Sequence, residues 1–142
     1  MINWVLESEH VNQYNEIKKH KSFYNECLNH KKLLKKLLVT LKKQNKKVVG
    51  YGASTKGNVL LQFCGINSKI INNIAEVNKY KFNRYTPGSK IKIVSEKSVK
   101  LKKPDYMLVL PWHFKDYIVK RERDFLKNGG KLIFPLPEIE IV

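Results

Sequence analysis

A glycine-rich loop is the part of the sequence whose residue types best suit chemistry. It runs from Gly50 to Asn58, between the short stretch Val48-Val49 and an apolar stretch that begins at Val59. A loop between a strand and a helix N-terminus presents free backbone N–H groups and the positive end of the helix dipole to an anion. Lys56 adds a cationic side chain, so the loop suits a phosphate group.

The glycine spacing matches neither common nucleotide-binding pattern. Gly50, Gly52 and Gly57 have a longer last interval than G-x-G-x-x-G, and no Gly-Lys-Ser/Thr ends the loop as in a P-loop. Spacing alone therefore leaves both phosphate binding and a plain tight turn open.

An acidic residue and a loop rich in cations and aromatic rings follow. Glu76 stands near the end of a second predicted strand, over residues 70–77, where nucleotide-binding folds place an acid. Residues 78–90 are predicted to form a loop with a turn at Pro87-Gly88, and this loop carries Arg84.

The sequence offers little for catalysis. No Ser or Cys has a recognisable triad setting, and the two cysteines, Cys27 and Cys64, fit reduced thiols better than metal ligands, so no metal site is expected. His113 follows a buried strand, at the edge of the sheet where α/β folds bind ligands. Three roles stay open for it: an acid/base group, a helix cap or a surface residue. Trp112 beside it either packs in the core or stacks on a base.

The elements that position these residues alternate between strand and helix. Residues 8–44 contain no Gly or Pro and show helical apolar spacing, which predicts one long or two shorter amphipathic helices. Further segments are predicted as follows: helix 59–64 ending at Gly65, strand 91–94, helix 95–99 capped by Ser95, strand 104–110, helix 113–127, strand 131–134 and a last strand at 139–142. This order predicts a Rossmann-like three-layer α/β domain with a mainly parallel sheet over 46–142, preceded by a helical segment, 1–45, that packs on it.

Charge raises a second class of function. The chain has 142 residues, 42% of them hydrophobic, which fits one globular domain, and its 28 Lys and Arg against 12 Asp and Glu give a net charge of +16. An anionic partner such as nucleic acid is therefore one interpretation, and a Lys- and Asn-rich composition with solvated helix faces is the other. No membrane segment or export signal is recognised, which predicts a cytoplasmic protein.

Six motifs occur in order along the chain: Gly50 to Asn58, Tyr85-Thr86-Pro87-Gly88-Ser89-Lys90-Ile91, Lys103-Pro104-Asp105-Tyr106, Leu110-Pro111-Trp112, Gly129-Gly130-Lys131 and Pro135-Leu136-Pro137. Together they resemble a known family, the C-terminal domain of SAM-dependent sugar C-methyltransferases. The resemblance covers about Tyr24 to Glu138. Such enzymes methylate a ring carbon of nucleotide-linked deoxysugars, and they resemble three-part proteins with a zinc domain, a SAM-binding catalytic domain and this last domain.

The resemblance implies that the chain binds a nucleotide-linked sugar and no cofactor of its own. SAM would belong to the complete enzyme, through a methyltransferase domain or partner chain, so the chain is not expected to be active alone. The implied substrate-binding residues are Gly52, Ala53, Ser54, Lys56, Gly57, Asn58, Glu76, Lys81, Arg84, Tyr85, Trp112 and His113, with the diphosphate at the glycine loop.

Two departures from the family pattern affect these expectations. Glu76-Val77-Asn78 replaces an Asp-Arg-Asn-like triplet, and Val59 stands where the family usually has Thr. Two alternative functions stay open: a basic nucleic-acid-binding protein, and a Rossmann-like domain that itself binds SAM or NAD.

Overall fold

The computed structural model describes residues 1–142, which divide into two compact units, Met1–Leu33 and Leu34–Val142. Two helices open the chain: α1 (Ile2–Val11) and α2 (Ile17–Lys43). The two-helix alternative is therefore correct, although α1 begins earlier than predicted. No residue of α1 is buried, whereas α2 buries Leu34, Leu38 and Leu41 at helical spacing. The domain boundary at residue 45 stays a prediction.

A six-stranded sheet organises the second unit, and its strand order is β3-β2-β1-β4-β5-β6. The strands are β1 (Val48–Tyr51), β2 (Asn73–Glu76), β3 (Lys92–Ser95), β4 (Tyr106–Val109), β5 (Lys131–Phe134) and β6 (Glu140–Ile141). The first five are parallel, and β6 pairs antiparallel with β5. The Rossmann-like α/β prediction is confirmed.

Four further helices connect the strands: α3 (Thr55–Cys64), α4 (Glu96–Leu101), α5 (Lys115–Arg121) and α6 (Arg123–Lys127). Two 3-10 turns, Lys79–Lys81 and Trp112–Phe114, follow β2 and β4. Gly65 ends α3 in a left-handed conformation, and Ser95 caps α4, both as predicted.

Three further predicted boundaries are wrong. Helix α3 begins at Thr55, inside the predicted glycine loop, because Ser54 caps it there. Strand β2 begins only at Asn73, because the amides of Ile70 and Ile71 donate to the Asn67 carbonyl in a turn. The helix predicted over 113–127 is interrupted at Glu122, whose backbone leaves helical geometry (φ −97°, ψ 21°). The buried Glu122 carboxylate accepts from Tyr51 of β1 and pairs with Lys100 of α4. These contacts fix the position of Glu122 where a continuous helix would otherwise run.

The core has two layers because the sheet is covered on both faces. One cluster joins Leu34 and Leu38 of α2 and Leu61 of α3 to strand residues such as Leu108 and Ile133. The other joins Ile118 of α5 to the alternating strand residues, which are Tyr51, Met107, Val109, Leu132 and Phe134. Because side chains alternate between the two faces of the sheet, helices pack on both faces and the domain has three layers. None of the helices combines the length and the apolar composition that a membrane span requires.

Strand order also locates the usual ligand position of such sheets. The chain passes from β1 outward to β2 and β3, then returns to place β4 on the other side of β1. The connections that leave β1 and β4 therefore diverge to opposite faces and leave a crevice at the carboxyl ends of these strands.

Candidate functional site

A cleft of about 370 Å³ lies at this crevice, and we call it the carboxyl-edge cleft. Its lining residues come from the ends of β1, β2 and β4, from α4 and from α5. They are Tyr51, Gly52, Ala53, Ser54, Ala75, Glu76, Val77, Glu96, Pro111, Phe114, Tyr117, Ile118 and Arg121. The cleft therefore combines aromatic rings, two carboxylates, one guanidinium and the glycine loop.

Two glycines of the loop are required by local packing. Gly52 has φ +77°, and a Cβ there would lie 2.9 Å from the Pro111 ring. A Cβ on Gly57 would lie 2.5 Å from Leu110 Cβ, so glycine allows α3 to pack closely on the end of β4. The spacing that differs from a dinucleotide fingerprint thus has its own structural basis.

Most backbone amides of the loop already have acceptors within the protein. The amide of Gly52 donates to the Ala75 carbonyl (2.8 Å) and that of Ala53 to Glu76 Oε2 (3.0 Å). Ser54 caps α3, since its Oγ accepts from the Gly57 amide (3.0 Å) and its carbonyl from the Asn58 amide (2.9 Å). The amides of Thr55 and Lys56 have no intrahelical acceptor in this first turn.

Glu76 links the glycine loop to the loop that follows β2. Its Oε1 accepts from the amides of Val77 (2.8 Å) and Asn78 (3.0 Å), and its Oε2 accepts from Ala53 and from Lys81 Nζ (3.3 Å). Lys81 Nζ also donates to the Ala53 carbonyl (2.8 Å). Burial opposes ionisation, but the two backbone donors and Lys81 outweigh it, so the pKa of Glu76 lies below its usual range.

The other predicted site residues lie outside the wall of this cleft. Lys56 and Arg84 are exposed, and Tyr85 is exposed beside its bridge to Lys92. Trp112 is half-buried against both core clusters, and the exposed His113 packs its ring on Phe114 with centroids 4.3 Å apart. A ligand role for each of these residues stays a prediction.

Asn58 differs from its neighbours in one respect. Its side-chain oxygen is buried and has no hydrogen-bond donor in the protein. Buried acceptors in native proteins nearly always have a donor, which an ordered water molecule can supply.

Sequence reasoning named only four of the thirteen residues that line the cleft, namely Gly52, Ala53, Ser54 and Glu76. Phe114 and Tyr117 share one apolar face of the helix predicted over 113–127, but they were not named as site residues. They are 57% and 66% exposed, and both line the cleft. Their spacing of three residues at the start of a helix after a buried strand was the available signal.

A partly buried charge network underlies the same wall. Tyr51 Oη donates to Glu122 Oε1 (2.8 Å) and accepts from Arg121, whose guanidinium also donates to both Glu96 oxygens (2.9 and 3.1 Å). Lys100 Nζ bridges Glu96 and Glu122, at 2.7 Å from each. Burial, followed by the bond to Glu122, raises the pKa of Tyr51, which keeps its hydroxyl protonated.

Comparison with known proteins agrees with this architecture. The family model described as the C-methyltransferase C-terminal domain matches residues 1–137. C-methyltransferase NovU of Streptomyces niveus is 39% identical over 97 residues, which are 68% of this chain and 23% of that protein. The aligned part thus spans about a quarter of the relative's length. The chain belongs to the family of C-methyltransferase C-terminal domains.

Proposed function

We propose that this chain is the nucleotide-sugar-binding domain of a SAM-dependent sugar C-methyltransferase. The observation that carries the proposal is the carboxyl-edge cleft of about 370 Å³ at the switch point between β1 and β4, in a chain of this family. Clefts at this position are where open α/β sheets bind ligands. The domain's task is to hold the acceptor substrate for the methylating domain.

The wall of the cleft fits the uncharged parts of such a ligand. The exposed rings of Phe114 and Tyr117 offer faces on which a nucleobase or sugar ring packs. Arg121 is already bidentate to Glu96 and also contacts Tyr51, so its charge is largely neutralised for a ligand. The cleft wall is therefore better suited to rings and hydroxyl groups than to phosphate.

The diphosphate has a separate place at the first turn of α3. The Thr55 and Lys56 amides point from the positive end of a ten-residue helix, and the exposed Lys56 side chain adds a full charge. We assign Lys56 and Ser54 to direct contact and Gly52, Ala53, Gly57, Asn58, Glu76 and Lys81 to shaping the loop. Arg84, Tyr85, Trp112 and His113 would complete the ligand surface from the rim.

SAM fits this cleft poorly. An acid at the end of the second strand serves such cofactors by accepting ribose hydroxyls. Here both Glu76 oxygens already accept from three amides and Lys81, which leaves no free acceptor position. We therefore assign SAM to another domain or partner chain of the complete enzyme.

A ligand screen by thermal unfolding tests the proposal. The chain is heated with dTDP-, UDP-, GDP- and CDP-linked sugars, SAM, NAD and a short DNA duplex, at low and high salt. At about 100 Kd a bound ligand adds about 2.7 kcal/mol of stability, which is roughly 10 °C for a chain of this size. One nucleotide-linked sugar is expected to give such a shift at both salt concentrations.

Two variants make the screen specific to the loop. Lys56→Ala is expected to weaken nucleotide-sugar binding about tenfold by removing a phosphate contact. Lys127→Ala, which removes an equally exposed lysine from α6, is expected to leave binding unchanged. A shift only with DNA at low salt would favour the nucleic-acid alternative instead, and equal affinities of the two variants would refute the phosphate site.

A further inference from the structure

A second cleft, of about 410 Å³, lies at the opposite end of the sheet, and we call it the amino-edge cleft. It is formed where α2 ends, where β1 and β2 begin and where α4 leads into β4. Its lining residues are Lys42, Asn45, Lys46, Lys47, Val48, Val49, Ile70, Asn72, Asn73, Val99, Lys102 and Pro104. The carboxyl-edge cleft shares none of these residues.

The charge of this cleft has one sign. Four of its lining residues are lysines and none is Asp or Glu. The neighbouring Asp105 carboxylate accepts from the Lys47 amide at 2.7 Å and forms no salt bridge with a lysine of the cleft. Elsewhere in this unit lysines meet acids: Lys81 contacts Glu76, and Lys115 contacts Glu140. Four unneutralised ammonium groups around one cavity repel each other, and a bound anion would remove that repulsion.

Two of the lysines contact backbone carbonyls. Lys42 Nζ donates to the Lys69 carbonyl, and Lys47 Nζ lies 3.5 Å from the Lys102 carbonyl. Each ammonium carries three N–H donors, so both keep donors for a ligand after these contacts. Lys46 and Lys102 are exposed, and their side chains have no partner in the protein. All four lysines of the cleft therefore keep N–H donors for a ligand.

The remaining wall favours a small ligand. Val48, Val49, Ile70, Val99 and Pro104 supply an apolar surface, which strengthens nearby electrostatic attraction by excluding water. Asn45, Asn72 and Asn73 add amide donors. A volume of about 410 Å³ is in the range of small-molecule sites. A long nucleic-acid backbone would instead need cations along an extended surface.

We propose that the amino-edge cleft is a binding site for a small phosphorylated anion with two or more phosphoryl groups. It is separate from the nucleotide-sugar site proposed above and does not depend on it. Lysine suits this ligand as a point charge for phosphate, whereas a planar carboxylate would favour the arginine fork, which the cleft lacks.

The test uses pyrophosphate as the probe and the 15N-labelled chain as the reporter. Amide chemical shifts are followed by NMR during titration at constant ionic strength. The expected result is saturable shifts concentrated at residues 45–49, 72–73 and 102. Shifts spread evenly over all lysine-rich surfaces, or shifts that never saturate, would overturn the proposal.

Two double variants with the same change in net charge distinguish binding at the amino-edge cleft from attraction to the overall positive charge of the chain. Lys46→Ser with Lys102→Ser is expected to weaken pyrophosphate binding about tenfold or more. Lys120→Ser with Lys127→Ser, exposed lysines of α5 and α6, is expected to keep it within about twofold. Equal weakening of pyrophosphate binding by both pairs would overturn the proposal. A short oligonucleotide that displaces pyrophosphate at a lower concentration than pyrophosphate itself needs for binding, and that changes amide shifts over a wider surface, would overturn it as well. Unfolding curves confirm that each variant is folded.

Discussion

Lys100→Met is the change that should most clearly show how much the charge network beneath the carboxyl-edge cleft contributes to stability. Glu122 is 2% exposed, and its carboxylate accepts from Tyr51 and pairs with Lys100 at 2.7 Å and Arg121 at 3.3 Å. Loss of Lys100 leaves a buried carboxylate with weaker compensation, whereas methionine keeps most of the buried stem.

The expected cost is about 2 to 3 kcal/mol of unfolding free energy. Breaking a fully buried pair costs about 3 to 5 kcal/mol. Because the Lys100 side chain is 39% exposed and Arg121 still faces Glu122, we expect a smaller value. Adding Glu122→Gln to this variant should restore about 1 kcal/mol or more, since a neutral amide needs no cation.

Urea unfolding followed by circular dichroism measures these differences. Lys97→Met is the matched control, because Lys97 lies on the same helix, is exposed and has no partner; we expect a change within about 0.5 kcal/mol. The reasoning is refuted if Lys100→Met costs no more than this control, or if the effects of Lys100→Met and Glu122→Gln simply add.

Two further predictions concern the glycine loop. The pKa of Glu76 in the folded state lies below its usual value. The stability that its ionised carboxylate contributes is therefore present above the unfolded pKa and is lost as the pH falls through the folded pKa. Urea midpoints should show Glu76→Gln less stable than the wild type at pH 7, and this difference in stability should disappear below about pH 4. Gly52→Ala should cost more than Gly129→Ala in thermal unfolding, by about 1 kcal/mol or more. Both glycines have positive φ, but only at Gly52 does a Cβ meet the Pro111 ring; equal costs would contradict the packing explanation.

Local patterns were enough to predict the elements around the cleft. The strand, glycine loop and helix at Gly50 to Gly65 have signals in consecutive residues, namely glycines and apolar periodicity, although the Ser54 cap that starts α3 was not recognised. The order of strands and helices then limits the sheet to a Rossmann-like form. Glu76 could be placed at a strand end for the same reason, because the strand itself was visible in the sequence.

The contacts that occupy these residues could not be predicted, because they join distant segments. Glu76 accepts from Ala53, which is 23 positions away, and Tyr51 donates to Glu122, which is 71 positions away. Helical periodicity gave Phe114 and Tyr117 an apolar face without saying whether that face meets the core or the cleft. The break at Glu122 arises from its buried partners, which no local propensity records.

Mapping a bound nucleotide-linked sugar by NMR tests the central claim most directly. The 15N-labelled chain is titrated with the nucleotide-linked sugar that gives the largest thermal shift. The account predicts saturable shifts at residues 52–58, 76–81 and 114–117, which surround the carboxyl-edge cleft and the first turn of α3. Saturable shifts confined to other surfaces, or none at concentrations that saturate the thermal shift, would contradict it.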